Sequence, residues 1–319
     1  MTAMIRFEDF SKRYGDHTAV EALSFGAEPG EAVALLGPNG SGKTTTLKGA
    51  AGLVRPTSGR VFVGEPEQDA CRPAARRAIS YLPQRVSFPE ALTGREVVEF
   101  YRRLRGTDSS RSGEVLRLAS LNGACSRPVS TYSGGMIQRL GLAVAALPDA
   151  PVMLLDEPTA ALDPEGLCAF YGLVERRRRE GRTLLFSSHQ LGDVERLADR
   201  FLLLIEGRLA ASLSRVELSE RLSSRGVMRL SLAAMVPGLL SAVRAVAPAV
   251  TWSGGELVVP GPAAERPRVL DVVRSAGGRI MNLVAEEARL DSLYRELVGQ
   301  KETDEFDAQT EDRGLGTED

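Results

Sequence analysis

The sequence predicts an α/β domain built on a largely parallel sheet, followed by a small α+β domain. Three observations predict it. Over the first 215 residues, short apolar runs alternate with helical stretches, as in strands joined by helical crossovers. One apolar run leads directly into a glycine-rich loop and then a helical stretch. Past Gly226 the order changes to strand, helix, two strands, helix, strand.

Taken in order, Ile5–Phe10 and Arg60–Val63 read as strands of an antiparallel edge. Ala32–Leu36, Val152–Leu155, Thr183–Ser187 and Phe201–Ile205 are short apolar runs, the reading of strands buried on both faces. Thr45–Ala51, Glu96–Leu104 and Met136–Leu147 have helix-like composition. The larger domain is expected over 1–215 and a linker over 216–226. A second domain is expected over 227–300. There Val227–Leu232 reads as a strand and Pro237–Val246 as a helix opened by proline. Val250–Trp252 and Glu256–Val259 form a hairpin around Ser253-Gly254-Gly255. Glu265–Ser275 is helical, Arg279–Ala285 a strand, and Leu290–Val298 a closing amphipathic helix. This βαββαβ order is the ferredoxin-like arrangement. Residues 301–319 carry eight acids against two bases and are expected to be disordered.

Composition narrows the function. A net charge of −2 gives no support to a nucleic-acid-binding surface, which needs a basic patch. Cys71, Cys125 and Cys168 have neither pairing nor metal spacing, and are expected as reduced, mostly buried thiols in a cytoplasmic protein. The N-terminus lacks the continuous apolar core of a signal peptide. No apolar run approaches the ~20 residues that span a bilayer. If the protein serves a membrane process, the pore is expected on another polypeptide.

Gly37-Pro38-Asn39-Gly40-Ser41-Gly42-Lys43-Thr44 follows the strand Ala32–Leu36 and precedes the helical run Thr45–Ala51. Glycines let backbone N–H groups converge on a phosphate, and the helix start adds a favourable field for the anion. Lys43 is placed to contact the β- and γ-phosphates, and the Thr44 hydroxyl to reach Mg²⁺.

Asp156-Glu157 ends the apolar strand Val152–Leu155. A carboxylate at the end of a buried strand is costly unless it meets a cation or donors. An Asp-Glu pair alone is commonly a solvated loop. Beside the glycine loop, Asp156 gains Mg²⁺ to hold, usually through water, and Glu157 a water to orient or deprotonate.

Further segments resemble the ABC (ATP-binding cassette) family. Thr131-Tyr132-Ser133-Gly134-Gly135-Met136-Ile137-Gln138-Arg139-Leu140 resembles its signature, and Ala161-Leu162-Asp163 its D-loop. Gln84 in Tyr81-Leu82-Pro83-Gln84 matches the Q-loop, and His189 in Ser187-Ser188-His189 the switch histidine. Tyr14 stands where the family places an aromatic that stacks on adenine. The resemblance covers residues 4–210, with the motifs in the family's order.

It implies an ATP- and Mg²⁺-dependent ATPase with a RecA-like core, an antiparallel β edge and a helical subdomain. The ATP contacts are Tyr14, Gly37, Pro38, Asn39, Gly40, Ser41, Gly42, Lys43, Thr44 and Thr45. Glu157, His189, Gln84 and Lys43 are the catalytic set, and Thr44, Gln84 and Asp156 the Mg²⁺ set. It also implies a head-to-tail dimer, with a second copy or a related ATPase. Ser133, Gly134, Gly135 and Met136 then close on the partner's ATP, near Asp163 of the D-loop. Tyr132 stands where the family usually has Leu, and Met136 where it has Gln. His17 lies in a polar loop and is assigned no role.

The same resemblance implies an integral-membrane permease partner and a peripheral position on the cytoplasmic face of the plasma membrane. The C-terminal segment Arg289-Leu290-Asp291-Ser292-Leu293-Tyr294 resembles ATPases of ABC-2-type permeases. Among these, Tyr81-Leu82-Pro83, Val86-Ser87-Phe88-Pro89 with Leu92-Thr93-Gly94-Arg95-Glu96, and Thr131-Tyr132-Ser133 together are similar to the NosF-type ATPases, which serve nitrous oxide reductase maturation and copper. A drug, lipid or polysaccharide exporter would share every ATPase residue named. A soluble ABC protein of translation or DNA repair would carry tandem cassettes or a coiled-coil insertion. A non-hydrolysing regulatory cassette is opposed by intact Lys43, Asp156, Glu157 and His189.

Overall fold

Strands buried on both faces need cover on both sides, and the parallel sheet of this protein has it. The computed structural model describes residues 3–188, 192, 196–223 and 226–286. These fall into two units, Met1–Arg215 and Val216–Asp319.

In the first unit, β1 (Ile5–Tyr14) and β2 (His17–Ala27) form a hairpin. Next come β3 (Ala32–Leu36), α1 (Lys43–Ala50), β4 (Ser58–Val63), β5 (Gln68–Asp69) and β6 (Ile79–Leu82). Helices α2 (Gly94–Arg105), α3 (Ser110–Leu118) and α4 (Gly134–Ala146) precede β7 (Val152–Leu155). The unit closes with α5 (Pro164–Arg179), β8 (Thr183–Ser187), β9 (Arg200–Ile205) and β10 (Arg208–Ser214).

One sheet has the order β2-β1-β4-β5, all antiparallel. The other runs β10-β9-β3-β8-β7-β6, parallel except for β10. A single buried core joins them. Phe7, Phe10 and Leu23 from the antiparallel sheet pack with Leu35, Leu154, Leu185 and Leu202 from the parallel one, around Leu47 of α1. The fit is close: a Cβ on Gly49 of α1 would lie 2.7 Å from the Phe10 ring.

The register of the parallel sheet decides where chemistry can gather. Leu35 pairs with Ser187, and Leu155 with Phe186. The carboxyl ends of β3, β8 and β7 therefore meet at one level, the usual place for a ligand in such a sheet.

In the second unit, α6 (Arg215–Ser223) leads to β11 (Val227–Leu232), α7 (Leu239–Arg244), β12 (Thr251–Ser253) and β13 (Glu256–Pro260). Then come α8 (Arg266–Ser275) and β14 (Ile280–Glu286). The sheet order is β12-β13-β11-β14, antiparallel throughout, the topology of the ferredoxin-like arrangement. Met228, Leu230, Leu257 and Val259 of the sheet face Leu239, Val243, Val269 and Val273 of the two helices.

Several expectations change. The helix after the glycine loop starts at Lys43 rather than Thr45, because Gly42 in the left-handed region already caps it. The segment expected as a linker over 216–226 is helical in α6. Pro237 does not open its helix: Gly238 turns left-handed behind it and α7 starts at Leu239. His17 is not in a loop but begins β2. Of the three free cysteines only Cys125 is buried; Cys168 is exposed. His189, Leu290–Val298 and the acidic tail 301–319 lie outside the described residues.

Leu154 is fully buried in β7 between both sheets' side chains. Leu154→Ala should lower the unfolding free energy by about 2–5 kcal/mol in urea titration; a change near zero would contradict this placement.

Candidate functional site

Strand β3 ends at Leu36, and the backbone then has to bend sharply back into α1. Three glycines take positive φ there: Gly37 at 143°, Gly40 at 85° and Gly42 at 97°. Two of them also lack space for a side chain. A Cβ on Gly37 would lie 2.2 Å from the Leu204 carbonyl oxygen, and one on Gly42 would lie 2.6 Å from that of Ala19. The second contact seats β2 of the antiparallel sheet against the loop.

The loop opens on a cavity of about 450 Å³ lined by Tyr14, His17, Ala19, Asn39, Gly40, Ser41, Gly42, Lys43, Thr44, Thr45, Gln84 and Glu157. Eight sequence-predicted ATP contacts, Lys43 of the catalytic set among them, thus line one cavity with two further predicted catalytic residues, Gln84 and Glu157. Lys43 folds back on its own loop, its Nζ donating to the Gly37 and Pro38 carbonyls at 2.8 and 2.9 Å. Burial lowers its pKa, opposed by the charges of Glu157 and Asp156. Tyr14 is 48% exposed at the rim, its ring covered on one side by the Lys12 ammonium at 5.0 Å.

Asp156 lies behind the loop, 1% exposed. Its Oδ1 accepts from the Thr44 hydroxyl at 3.1 Å and the Ser187 hydroxyl at 2.8 Å. Its Oδ2 is buried without a hydrogen-bond partner, as is Ser41 Oγ. An unsatisfied buried carboxylate oxygen beside a threonine hydroxyl fits a hard divalent cation. Glu157 follows with φ 49°, a backbone strain uncommon outside glycine. Its N–H donates to Ser187 Oγ at 2.8 Å, which holds the strained turn in place.

Sequence reasoning missed three contributors. Ser187 orders both acids; its position at the end of a buried strand next to β7 was the available signal. His17 is the direct cross-strand partner of Tyr14, so both rings stand together at the rim. The Tyr81 hydroxyl is buried without a partner, and burial first, then Asp156, pushes its pKa up.

The signature is a separate feature, and Ser133, Gly134, Gly135 and Met136 are not walls of this cavity. Ser133 caps α4, its Oγ accepting from Met136 N–H at 3.3 Å, and both Ser133 and Gly134 are exposed. An exposed start of a 13-residue helix is suited to an anion. Asp163 caps α5 by accepting from Gly166 N–H at 2.9 Å and pairs with Arg139 of α4 at 3.4 Å. Gln138 of α4 donates to the Pro158 carbonyl at 3.3 Å. The signature helix is thereby tied to the segment that carries Asp156 and Glu157.

Comparison with known proteins agrees with this geometry. The family described as ABC transporter matches residues 20–160. The chain is 34% identical over 302 residues to the uncharacterized ABC transporter ATP-binding protein YxlF of Bacillus subtilis, covering 92% of this chain and 99% of that protein. It is 29% identical to the linearmycin resistance ATP-binding protein LnrL of the same species, covering 93% and 99%. With the Nod factor export ATP-binding protein I of Rhizobium etli it shares 37% over 216 residues, 66% of this chain and 68% of that one. Among solved structures, a dimeric bacterial ABC transporter cassette superposes with TM-score 0.61 at 26% identity, covering 66% of this chain and 99% of that chain.

Removing the Lys43 ammonium takes away the one cation inside the loop. Lys43→Ala should weaken ATP binding at least about tenfold by calorimetric titration, equal to roughly 1.4 kcal/mol. Unchanged affinity would remove Lys43 from the phosphate site.

Proposed function

This chain belongs to the ATP-binding proteins of ABC transporters, and from that membership we propose that it is the motor of an exporter whose pore is a separate permease. The observation that carries the export reading is the reach of the likeness. The match to a linearmycin resistance protein runs over 93% of this chain, well into the C-terminal unit, and 216 residues share 37% identity with a Nod factor export protein. Export by an ABC-2-type system is therefore favoured over nitrous oxide reductase maturation, which rests on the short segments around Phe88 and Thr93. The same relatives disfavour a soluble role in translation or DNA repair.

The residues divide the work as follows. The N–H groups of 39–45 and the start of α1 cradle the triphosphate, and Tyr14 with His17 borders the base and sugar end. Lys43 exchanges the Gly37 and Pro38 carbonyls for phosphate oxygens. Asp156, Thr44 and Gln84 would hold Mg²⁺, which when bound neutralises charge on the β- and γ-phosphates. Glu157 orients the attacking water and accepts its proton, and His189 is assigned to the γ-phosphate. Ser133, Gly134, Gly135 and Met136 close on the ATP of a second copy or a related subunit, with Asp163 at the junction. A solved cassette of 26% identity is itself a dimer, which supports this arrangement.

Phe100 and Leu104 of α2 are 58% and 69% exposed, an apolar surface suited to a permease. No described helix is long and apolar enough to cross a membrane. The motor is accordingly assigned to the cytoplasmic face of the plasma membrane, held there by its partner.

Glu157→Gln should keep ATP binding, lower steady-state hydrolysis by at least about 10²-fold, and trap an ATP-bound dimer on sizing columns. Wild-type turnover would overturn the assignment of Glu157. Affinity capture of the tagged chain from detergent-solubilised membranes should recover a polytopic permease. Recovery with ribosomes or DNA alone would overturn the motor reading.

A further inference from the structure

Tyr132 immediately precedes the phosphate-facing start of α4 and stands where the family usually has Leu. The phenol is 8% exposed, and its hydroxyl donates to the Ala124 carbonyl at 2.9 Å. On its other side the hydroxyl meets Gly94, the first residue of α2. A Cβ on Gly94 would lie 2.2 Å from the hydroxyl oxygen and 3.2 Å from the carbon that bears it. Real Cβ contacts do not reach that distance, so any side chain at 94 would push the phenol off its present place against the Ala124 carbonyl. Burial first, then Cys125, raises the Tyr132 pKa against Arg127 and the Gly94 N–H, so the phenol keeps its proton to donate.

Backbone bonds complete the joint. Arg95 N–H donates to Cys125 O and Val129 N–H to Leu92 O, both at 2.8 Å, and Ser130 N–H to Glu90 O at 3.1 Å. Thr93 and Pro128 form an isolated antiparallel bridge. The start of α2 is set by a capping box: Thr93 Oγ1 accepts from Glu96 N–H at 3.2 Å, and Glu96 Oε2 accepts from Thr93 N–H at 2.8 Å. Tyr132 links this assembly to Ser133, its neighbour in the chain. A close-packed contact has no slack, so movement of Ser133 is passed to the first turn of α2 instead of being absorbed.

We propose that Gly94 and Tyr132 are a fitted positioning pair that couples the signature at Ser133 to helix α2, so that engagement of the partner's ATP moves the face carrying Phe100 and Leu104. The proposal rests on the reading that Ser133 engages ATP in trans. Leucine at 132 could fill the space but would carry no hydroxyl for the Ala124 carbonyl, leaving only the backbone bonds between 90–95 and 125–130 to pass the movement on.

The test uses the full chain in a Glu157→Gln parent and reads ATP-driven dimerisation by analytical ultracentrifugation, with ATP binding to the monomer measured alongside. Tyr132→Phe removes only the hydroxyl. It should raise the ATP concentration for half-dimerisation about tenfold while leaving monomer affinity unchanged and lowering the melting temperature only slightly, as expected for one lost hydrogen bond. Hydrogen exchange over residues 94–105 should slow on dimerisation in the parent but not in Tyr132→Phe. Gly94→Ala should impair dimerisation at least as much, and Gly94→Ala with Tyr132→Leu should be no worse than Tyr132→Leu alone, because the clash is gone. Parent-like dimerisation by Tyr132→Phe, or additive losses in the double variant, would overturn the pair. A parent that fails to dimerise with ATP would instead overturn the trans-ATP reading beneath it.

Discussion

A carboxylate buried to 1% exposure at the end of a fully buried strand is the constraint around which this protein is organised. Asp156 is tolerable there because two hydroxyls reach it, Thr44 from α1 and Ser187 from β8. Meeting that demand brings the glycine loop, β7 and β8 to the same level. The parallel register supplies that alignment, with Leu35 beside Ser187 and Leu155 beside Phe186. One oxygen of the carboxylate accepts from both hydroxyls and the other is buried without a hydrogen-bond partner.

The same corner stores the backbone strain. Glu157 sits at φ 49° with its N–H bound to Ser187, and Gly37 and Gly42 adopt conformations with no space for a Cβ. Such strain persists only where surrounding packing over-determines it. Here the packing is the shared core of the two sheets, in which Phe10 lies directly under Gly49 of α1. The contact of Gly42 with Ala19 brings the β1–β2 hairpin to the loop, and with it the rim pair Tyr14 and His17.

The signature depends on a different set of ties. Ser133 opens α4 toward solvent, and Gln138 and Arg139 fasten the helix to Pro158 and Asp163. On its other flank Tyr132 fastens it to α2 through Gly94 and Ala124. The residue just before this exposed helix start therefore has contacts in two directions. One exposed helix start is linked both to the segment that carries the acids of its own chain and to α2, which bears the exposed Phe100 and Leu104.

By itself, the sequence determined the parallel strands, the glycine loop, the acids after β7 and the signature, because each is a local pattern of residue types. The strands Ala32–Leu36, Val152–Leu155 and Thr183–Ser187 have the predicted bounds, since unbroken apolar runs ending in polar residues leave little freedom. Strand β2 and the edge strand β6 were harder to read because exposed polar residues interrupt the first and the second is only four residues long with Ser80 inside it. Only the tertiary structure decided that Ser187 orders Asp156 and Glu157, that His17 stands beside Tyr14, and that the Tyr132 hydroxyl lies where a Cβ on Gly94 would be. Each of these is a contact between residues whose separation in sequence carries no periodic signal. Their chemistry appears only when register and packing bring the side chains within hydrogen-bonding or van der Waals reach.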